Sequence, residues 1–225
     1  MTLTEQLQDF RAEFMSKVPA EIRTAMENAD LDLAATNIIN NAIKAGDTAP
    51  DFRLKNVNGE WLRLSEQLKK GPVVLSFYRG GWCPCCNLEL RALQAVLPQI
   101  QQLGASLLAV SPQTPDESLS TAEKNALGFA VLSDTQSEIA MKYGIAFDLA
   151  TELRAIYTQF NHALPVMNGD ESWRLPIPAS YVIKQDGSVA LAFIDVDYRN
   201  RLEPAEIVKA LQAIGSASGR GTESC

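Results

Sequence analysis

The chain has 225 residues, of which 46% are hydrophobic and 21% charged, and its formal net charge is −7. That balance describes a globular protein long enough to bury a sizeable core, not a disordered one. The acidic excess argues against broad nucleic-acid binding, which relies on Lys and Arg against phosphates, and no apolar run approaches the roughly 20 residues of a membrane span.

The start, Met1-Thr2-Leu3-Thr4-Glu5-Gln6, lacks the basic and then apolar stretches of a secretory signal, so the expected compartment is the cytoplasm. Leu3, Leu7, Phe10 and Phe14 recur at helical spacing. Pro19 suits a first helical position, with Ile22 and Met26 continuing an apolar stripe. A third short helix is expected over Leu31–Ile43, ending near Gly46. Residues 1–45 thus read as a helical extension whose expected role is packing or a homodimer contact.

From Ala49 the pattern changes. Asp51–Leu54 and Trp61–Leu64 flank Asn58-Gly59, a hairpin signal because Asn-Gly tolerates positive φ. The β-branched and aromatic run Val73–Tyr78 predicts a buried central strand, followed by a glycine turn and a long helix from Pro84. Pro98 is expected to kink that helix by removing an internal hydrogen bond. Ser106–Ser111 and Ala130–Leu132 read as strands, alternating with helices over Ser118–Ala126 and Ser137–Tyr143.

Residues 149–177 interrupt the alternation with a helix, Ala150–Phe160, and a loop rich in Asn, Gly, Asp and Pro. Trp173 and Arg174 in this insertion are candidates for covering the site. Ser180–Lys184 and Val189–Phe193 form a second hairpin around Asp186-Gly187, and a helix over Pro204–Ile214 closes the domain. Strands alternating with helices predict an α/β fold, a mixed sheet covered on both faces. The expected divisions are 1–45, 46–215 and a polar tail, 216–225.

Cytoplasmic cysteines are more often reactive or metal-binding than structural staples. Three of the four, Cys83, Cys85 and Cys86, fall in one turn between strand and helix. Pro84 fits the first helical position, which sets Cys83 at the cap and Cys86 in the first turn. Free backbone N–H groups and the positive end of the helix dipole there stabilise a thiolate. Residues three apart share a helix face, which makes Cys83 and Cys86 a compatible redox pair, whereas Cys85 points about 100° away from Cys86. Cys86 continues into the stripe Leu90, Leu93, Leu97 and Ile100, so it is expected to be the sheltered thiol and Cys83 the exposed one. Zinc usually takes four Cys or His ligands. With only His162 available, and that remote in sequence, no metal or other cofactor is expected.

Three stretches carry a resemblance: Gly46-Asp47-Thr48-Ala49-Pro50-Asp51-Phe52, Tyr78-Arg79-Gly80-Gly81-Trp82-Cys83-Pro84 through Leu90, and Pro178-Ala179-Ser180-Tyr181-Val182-Ile183. Asp195-Val196-Asp197-Tyr198 and Glu203-Pro204-Ala205-Glu206 add to it. The chain resembles the peroxiredoxin-like branch of the alkyl hydroperoxide reductase/thiol-specific antioxidant (AhpC/TSA) family, within the thioredoxin superfamily. The resemblance implies a thioredoxin fold with Pro178 as a cis-proline facing the cysteine pair. In the family's P-x-x-x-T-x-x-C register, Cys86 matches the peroxide-attacking cysteine and Glu89 fits. Arg79 stands at the Pro, Cys83 at the Thr, and Pro178 at the place of a distant Arg. Trp82-Cys83-Pro84-Cys85-Cys86 also fits the thioredoxin W-C-x-x-C pattern, in which the first cysteine attacks, and Ser76 replaces the buried acid of that pattern.

Three functions stay open. One is thiol-dependent reduction of hydrogen peroxide or organic hydroperoxides, with Cys86 attacking, Cys83 resolving and an external dithiol such as a thioredoxin or glutaredoxin restoring the pair. Arg79 would hold the thiolate and polarise the peroxide, or else be a surface guanidinium. The second is general thiol–disulfide exchange led by Cys83, and the third a non-catalytic redox sensor. Cys85 and Cys225 are further thiols, Cys225 within reach of a partner subunit or in a disordered tail.

Overall fold

The computed structural model describes residues 1–219, so Cys225 lies outside the described residues. The chain opens with α1 (Leu3–Lys17) and α2 (Ala20–Ala35). Thr2 and Glu5 cap α1 reciprocally, each side chain bonding the other's backbone N–H. Pro19 is the N-cap of α2, one place before the expected position, and α2 runs unbroken to Ala35. What remains of the expected third helix is a 3₁₀ turn, Ile38–Asn41.

β1 (Arg53–Asn56) and β2 (Trp61–Arg63) form the predicted hairpin, and α3 (Leu64–Leu68), absent from the sequence reading, follows directly. Then come β3 (Val73–Phe77), α4 (Pro84–Gln102), β4 (Ser106–Ser111), α5 (Pro115–Lys124) and β5 (Ala130–Ser133). α5 starts three residues earlier than expected because Pro115 takes its first position. A 3₁₀ turn, Thr135–Ser137, leads into α6 (Glu138–Lys142).

The insertion holds more regular structure than its composition suggested. β6 (Ala146–Asp148), α7 (Thr151–Gln159), α8 (Leu164–Asn168) and β7 (Arg174–Pro176) follow in order, and β6 pairs with β7 as a separate antiparallel ribbon. The hairpin β8 (Ala179–Ile183) and β9 (Val189–Ile194) then rejoins the main sheet, and α9 (Pro204–Gly219) ends the described chain.

The main sheet has seven strands in the order β2-β1-β5-β4-β3-β8-β9. β3 is parallel to β4 and antiparallel to β8, so the sheet is mixed, and the cysteine turn leaves its centre. Alternation along β3 assigns the two faces. Val73, Leu75 and Phe77 pack with Leu64, Leu68, Ile139 and Tyr143 on one side. Val74 packs with Leu93, Leu97 and Ile100 of α4 and Ile207 and Leu211 of α9 on the other.

α4 continues through Pro98 to Gln102. Four of its buried residues, the aliphatic Leu90, Leu93, Leu97 and Ile100, contribute about 6–12 kcal/mol of apolar burial at most. An interior proline costs about 3 kcal/mol. Packing therefore outweighs the lost hydrogen bond. No helix among the described residues is long and apolar enough to cross a membrane.

Candidate active site

The turn from β3 into α4 is held by backbone geometry and by polar side chains from three elements. Gly80 adopts φ +148°, and a Cβ there would stand 2.3 Å from Trp82 Nε1. At Gly81 a Cβ would meet Thr121 Oγ1 at 2.1 Å. Glycine is thus required by crowding as well as by conformation. Gly81 N–H donates to Gln113 Oε1 at 2.8 Å, and Asn87 Nδ2 donates to Gly81 O at 2.7 Å and Cys83 O at 3.1 Å. Asn125 Nδ2 in turn donates to Asn87 Oδ1 at 2.8 Å. Gln113, Asn87 and Asn125 went unnoticed in the sequence because each is an ordinary polar residue until the fold brings it to the turn.

Cys83 is the N-cap of α4 and Pro84 its first residue, as the spacing predicts. Cys83, Cys85 and Cys86 are free thiols, and each is at most 1% exposed. The expectation of an exposed Cys83 is therefore wrong. Leu3 and Leu7 of α1 share a cluster with all three cysteines and Leu90, so the helical extension covers the turn. Glu203 fixes the start of α1 by accepting from Leu3 N–H at 3.3 Å and Thr4 N–H at 2.6 Å.

The largest omission from the sequence reading is Arg201. Its Nη2 donates to Cys86 Sγ at 3.5 Å while its Nε donates to Glu89 Oε2 at 2.7 Å. Both side chains of the Arg201–Glu89 pair are 2% exposed. Ser180 Oγ donates to the other Glu89 oxygen at 3.3 Å. Arg201, beyond β9, thus supplies a buried cation beside Cys86, and Glu89 of α4 supplies a buried acid. Ser76, expected to replace the buried acid of the thioredoxin pattern, is buried with no hydrogen-bond partner for its hydroxyl among the described residues.

Arg79 is 3% exposed, which excludes the surface reading. Its Nη2 donates to Tyr157 Oη of α7, and its guanidinium lies 4.2 Å from the centre of the Tyr198 ring and 5.1 Å from that of Trp82. His162 packs against Trp82 with the rings tilted by 39° and their centroids 5.0 Å apart, a packing role. The insertion covers this region through Tyr157, while Trp173 lies under Arg154 and Arg174 pairs with Asp148. Pro178 lies between β7 and β8 beside this cluster, but its peptide bond is trans, since no cis bond occurs among the described residues. Ile177 N–H donates to Ile145 O at 2.7 Å, so the backbone just before Pro178 is fixed by the neighbouring segment.

A model of the AhpC/TSA family matches residues 45–192. The chain belongs to the AhpC/TSA family. Peroxiredoxin Bcp of Escherichia coli K12 is 30% identical over 105 residues, which are 47% of this chain and 67% of that protein. Thiol-disulfide oxidoreductase ResA of Geobacillus thermodenitrificans is 34% identical over 105 residues, 46% of this chain and 59% of the relative. Among solved structures, peroxidoxin BcpB from Mycobacterium tuberculosis superposes with a TM-score of 0.60 at 24% identity, covering 76% of this chain and 98% of that one. A reduced 2-Cys peroxiredoxin of Plasmodium vivax gives 0.62 at 19%, covering 80% and 86%. The thioredoxin fold expected from the resemblance is the fold observed.

Electrostatics differentiate the three thiols of this AhpC/TSA protein. Burial, then the hydrogen bond and charge of Cys83, push Cys86 well above the ordinary cysteine value; Arg201 opposes this and Glu89 adds to it. Cys83 is raised chiefly by its hydrogen bond to Cys85, with Arg79 pulling the other way. Cys85 is held low, first by accepting that bond, with Arg201 contributing.

Proposed function

We propose that this chain is a thiol-dependent peroxidase in which Cys86 attacks the peroxide and Cys83 resolves. The observation that carries this reading is the Arg201 guanidinium at 3.5 Å from Cys86 Sγ, itself oriented by Glu89. A cation donating to sulfur favours the thiolate and stands where charge develops on the departing oxygen. The Cys86 thiolate attacks the distal oxygen, the S–O bond forms and the O–O bond breaks. The leaving oxygen takes a proton and departs as water or an alcohol. Cys83 then attacks the sulfenic sulfur, forming the disulfide and releasing water, and an external thioredoxin-type dithiol returns two electrons.

Exchange with a protein disulfide, led by Cys83, draws support from the similarity to ResA. The burial of Cys83 beneath Leu3 and Leu7 favours a small oxidant instead. Peroxide treatment of Cys83→Ser, Cys85→Ser and Cys86→Ser proteins with dimedone trapping tests the assignment. Sulfenate accumulating in Cys83→Ser and lost in Cys86→Ser is expected. Sulfenate that survives in Cys86→Ser transfers the attacking role to another thiol.

A further inference from the structure

All three thiols of the cysteine turn are at most 1% exposed, so a reagent reaches them only after something moves aside. α1 is part of the cover, since its Leu3 and Leu7 share one buried cluster with Cys83, Cys85 and Cys86. This helix lies outside the 45–192 segment matched by the family, so the cover is an addition to the shared fold.

The contacts of α1 are those of a piece that swings from one end. Of its 15 residues only Leu3 and Leu7 are buried. Farther along, a groove of about 470 Å³ lies between Phe10 and Glu13 of α1 and Trp82, Pro84 and Leu88 of the turn and α4. Close packing on the cysteines is therefore confined to the first two turns of the helix. At the other end Val18 and Pro19 are extended, with ψ of 133° and 146°, and join α1 to α2. Phe14 packs near that joint with Met26 of α2 on the cluster around Leu153 and Tyr157. The joint end is anchored and the cysteine end is lightly held.

The cysteine end has a latch. The first amides of a helix find no partner within it. Glu5 N–H bonds Thr2 Oγ1 at 3.2 Å, inside the extension itself. Leu3 and Thr4 N–H instead reach the carboxylate of Glu203, which immediately precedes α9. A negative charge at that position also gains from the helix dipole. α9 is fixed by packing with α4, so Glu203 is a stationary post. The other tie, Arg11 to Asp197 at 3.6 Å, involves a half-exposed arginine and is weak.

We infer that α1 is a hinged lid over the cysteine turn, latched by Glu203, and that its lifting admits reagents to the thiols. What passes beneath it, a peroxide and then a dithiol, rests on the peroxidase reading. The lid itself rests on the burial of the thiols alone.

The test follows alkylation of the reduced protein by iodoacetamide, read at Cys83, Cys85 and Cys86 by peptide mass spectrometry. Glu203→Ala frees the latch without touching the cysteine cluster. Alkylation is expected to rise about tenfold or more, the worth of a lost charge-assisted hydrogen bond. Glu206→Ala, at an exposed position of α9, is expected to leave the rate within about twofold. Amide hydrogen exchange separates a lid from general loosening. In Glu203→Ala the amides of 7–17 are expected to lose protection while those of 73–77 keep theirs. An unchanged alkylation rate overturns the lid, and so does an equal loss of protection in both segments. Faster alkylation of Glu203→Ala, in a protein inert to every peroxide, supports the lid and sinks the peroxidase. Peroxide turnover with alkylation unmoved does the reverse.

Discussion

Replacing Arg201 by Met removes the donor to Cys86 and leaves Glu89 buried without its cation. A hydrogen bond to a charged group is worth about 1.5–3 kcal/mol. If that is what the 3.5 Å contact supplies to the thiolate, the peroxide rate constant falls by about 10- to 150-fold. Breaking a buried pair also costs about 3–5 kcal/mol of stability, which lowers Tm by about 6–20 °C for a chain of this size. The rate is therefore measured at 20 °C by stopped flow, after circular dichroism has verified the fold. Glu89→Gln supplies the opposite sign. It keeps an acceptor for Arg201 but removes a negative charge that pushes Cys86 upward, so oxidation and alkylation at neutral pH are expected to accelerate. Folded Arg201→Met protein reacting within threefold of wild type, or both variants slowing alike, would refute the electrostatic reasoning.

Because Cys86 sits well above its ordinary pKa, chiefly through burial, its thiolate fraction at neutral pH is small and grows with pH. The peroxide rate constant is expected to climb about tenfold per pH unit from 6 to 8; a plateau below pH 7 contradicts the shift. Gly81→Ala drives a Cβ onto Thr121, an overpacking cost of about 1–3 kcal/mol. Calorimetry is expected to record a Tm loss of about 2–12 °C, partly recovered by adding Thr121→Ala, and no recovery assigns the loss elsewhere. Asp134 accepts from Ile139 and Ala140 N–H, yet burial raises its carboxyl to about 6. A raised folded-state pKa favours the protonated folded form, so this group's stabilisation is full below about pH 4 and is lost as pH rises through 6. Urea midpoints of Asp134→Asn are expected to lack that decline, and an unchanged slope excludes Asp134 as its source.

Features written in local spacing were legible. Asn58-Gly59 marked its hairpin, and Pro84 placed Cys83 at the cap of α4. The β-branched run Val73–Phe77 lies at the centre of the sheet as expected. Contacts between distant segments were not. Arg201 stands 115 residues from Cys86, in a loop with no periodicity, and nothing local distinguishes it from Arg199, which pairs with Asp30. The burial of Cys83 depends on Leu3 and Leu7, whose stripe showed that α1 packs but not against what. The β6–β7 ribbon escaped notice because two three-residue strands leave too few positions for an alternation.

Cys83 at the cap of α4 and Cys86 in its first turn lie one helical turn apart. Oxidation would therefore ask only two sulfurs to close, with no rearrangement of strands or exchange of partners. The ring so formed encloses few residues, and by chain-entropy reasoning would add only about 2 kcal/mol. A bridge that adds so little to the stability of the fold leaves the chain much the same in its reduced and oxidised states.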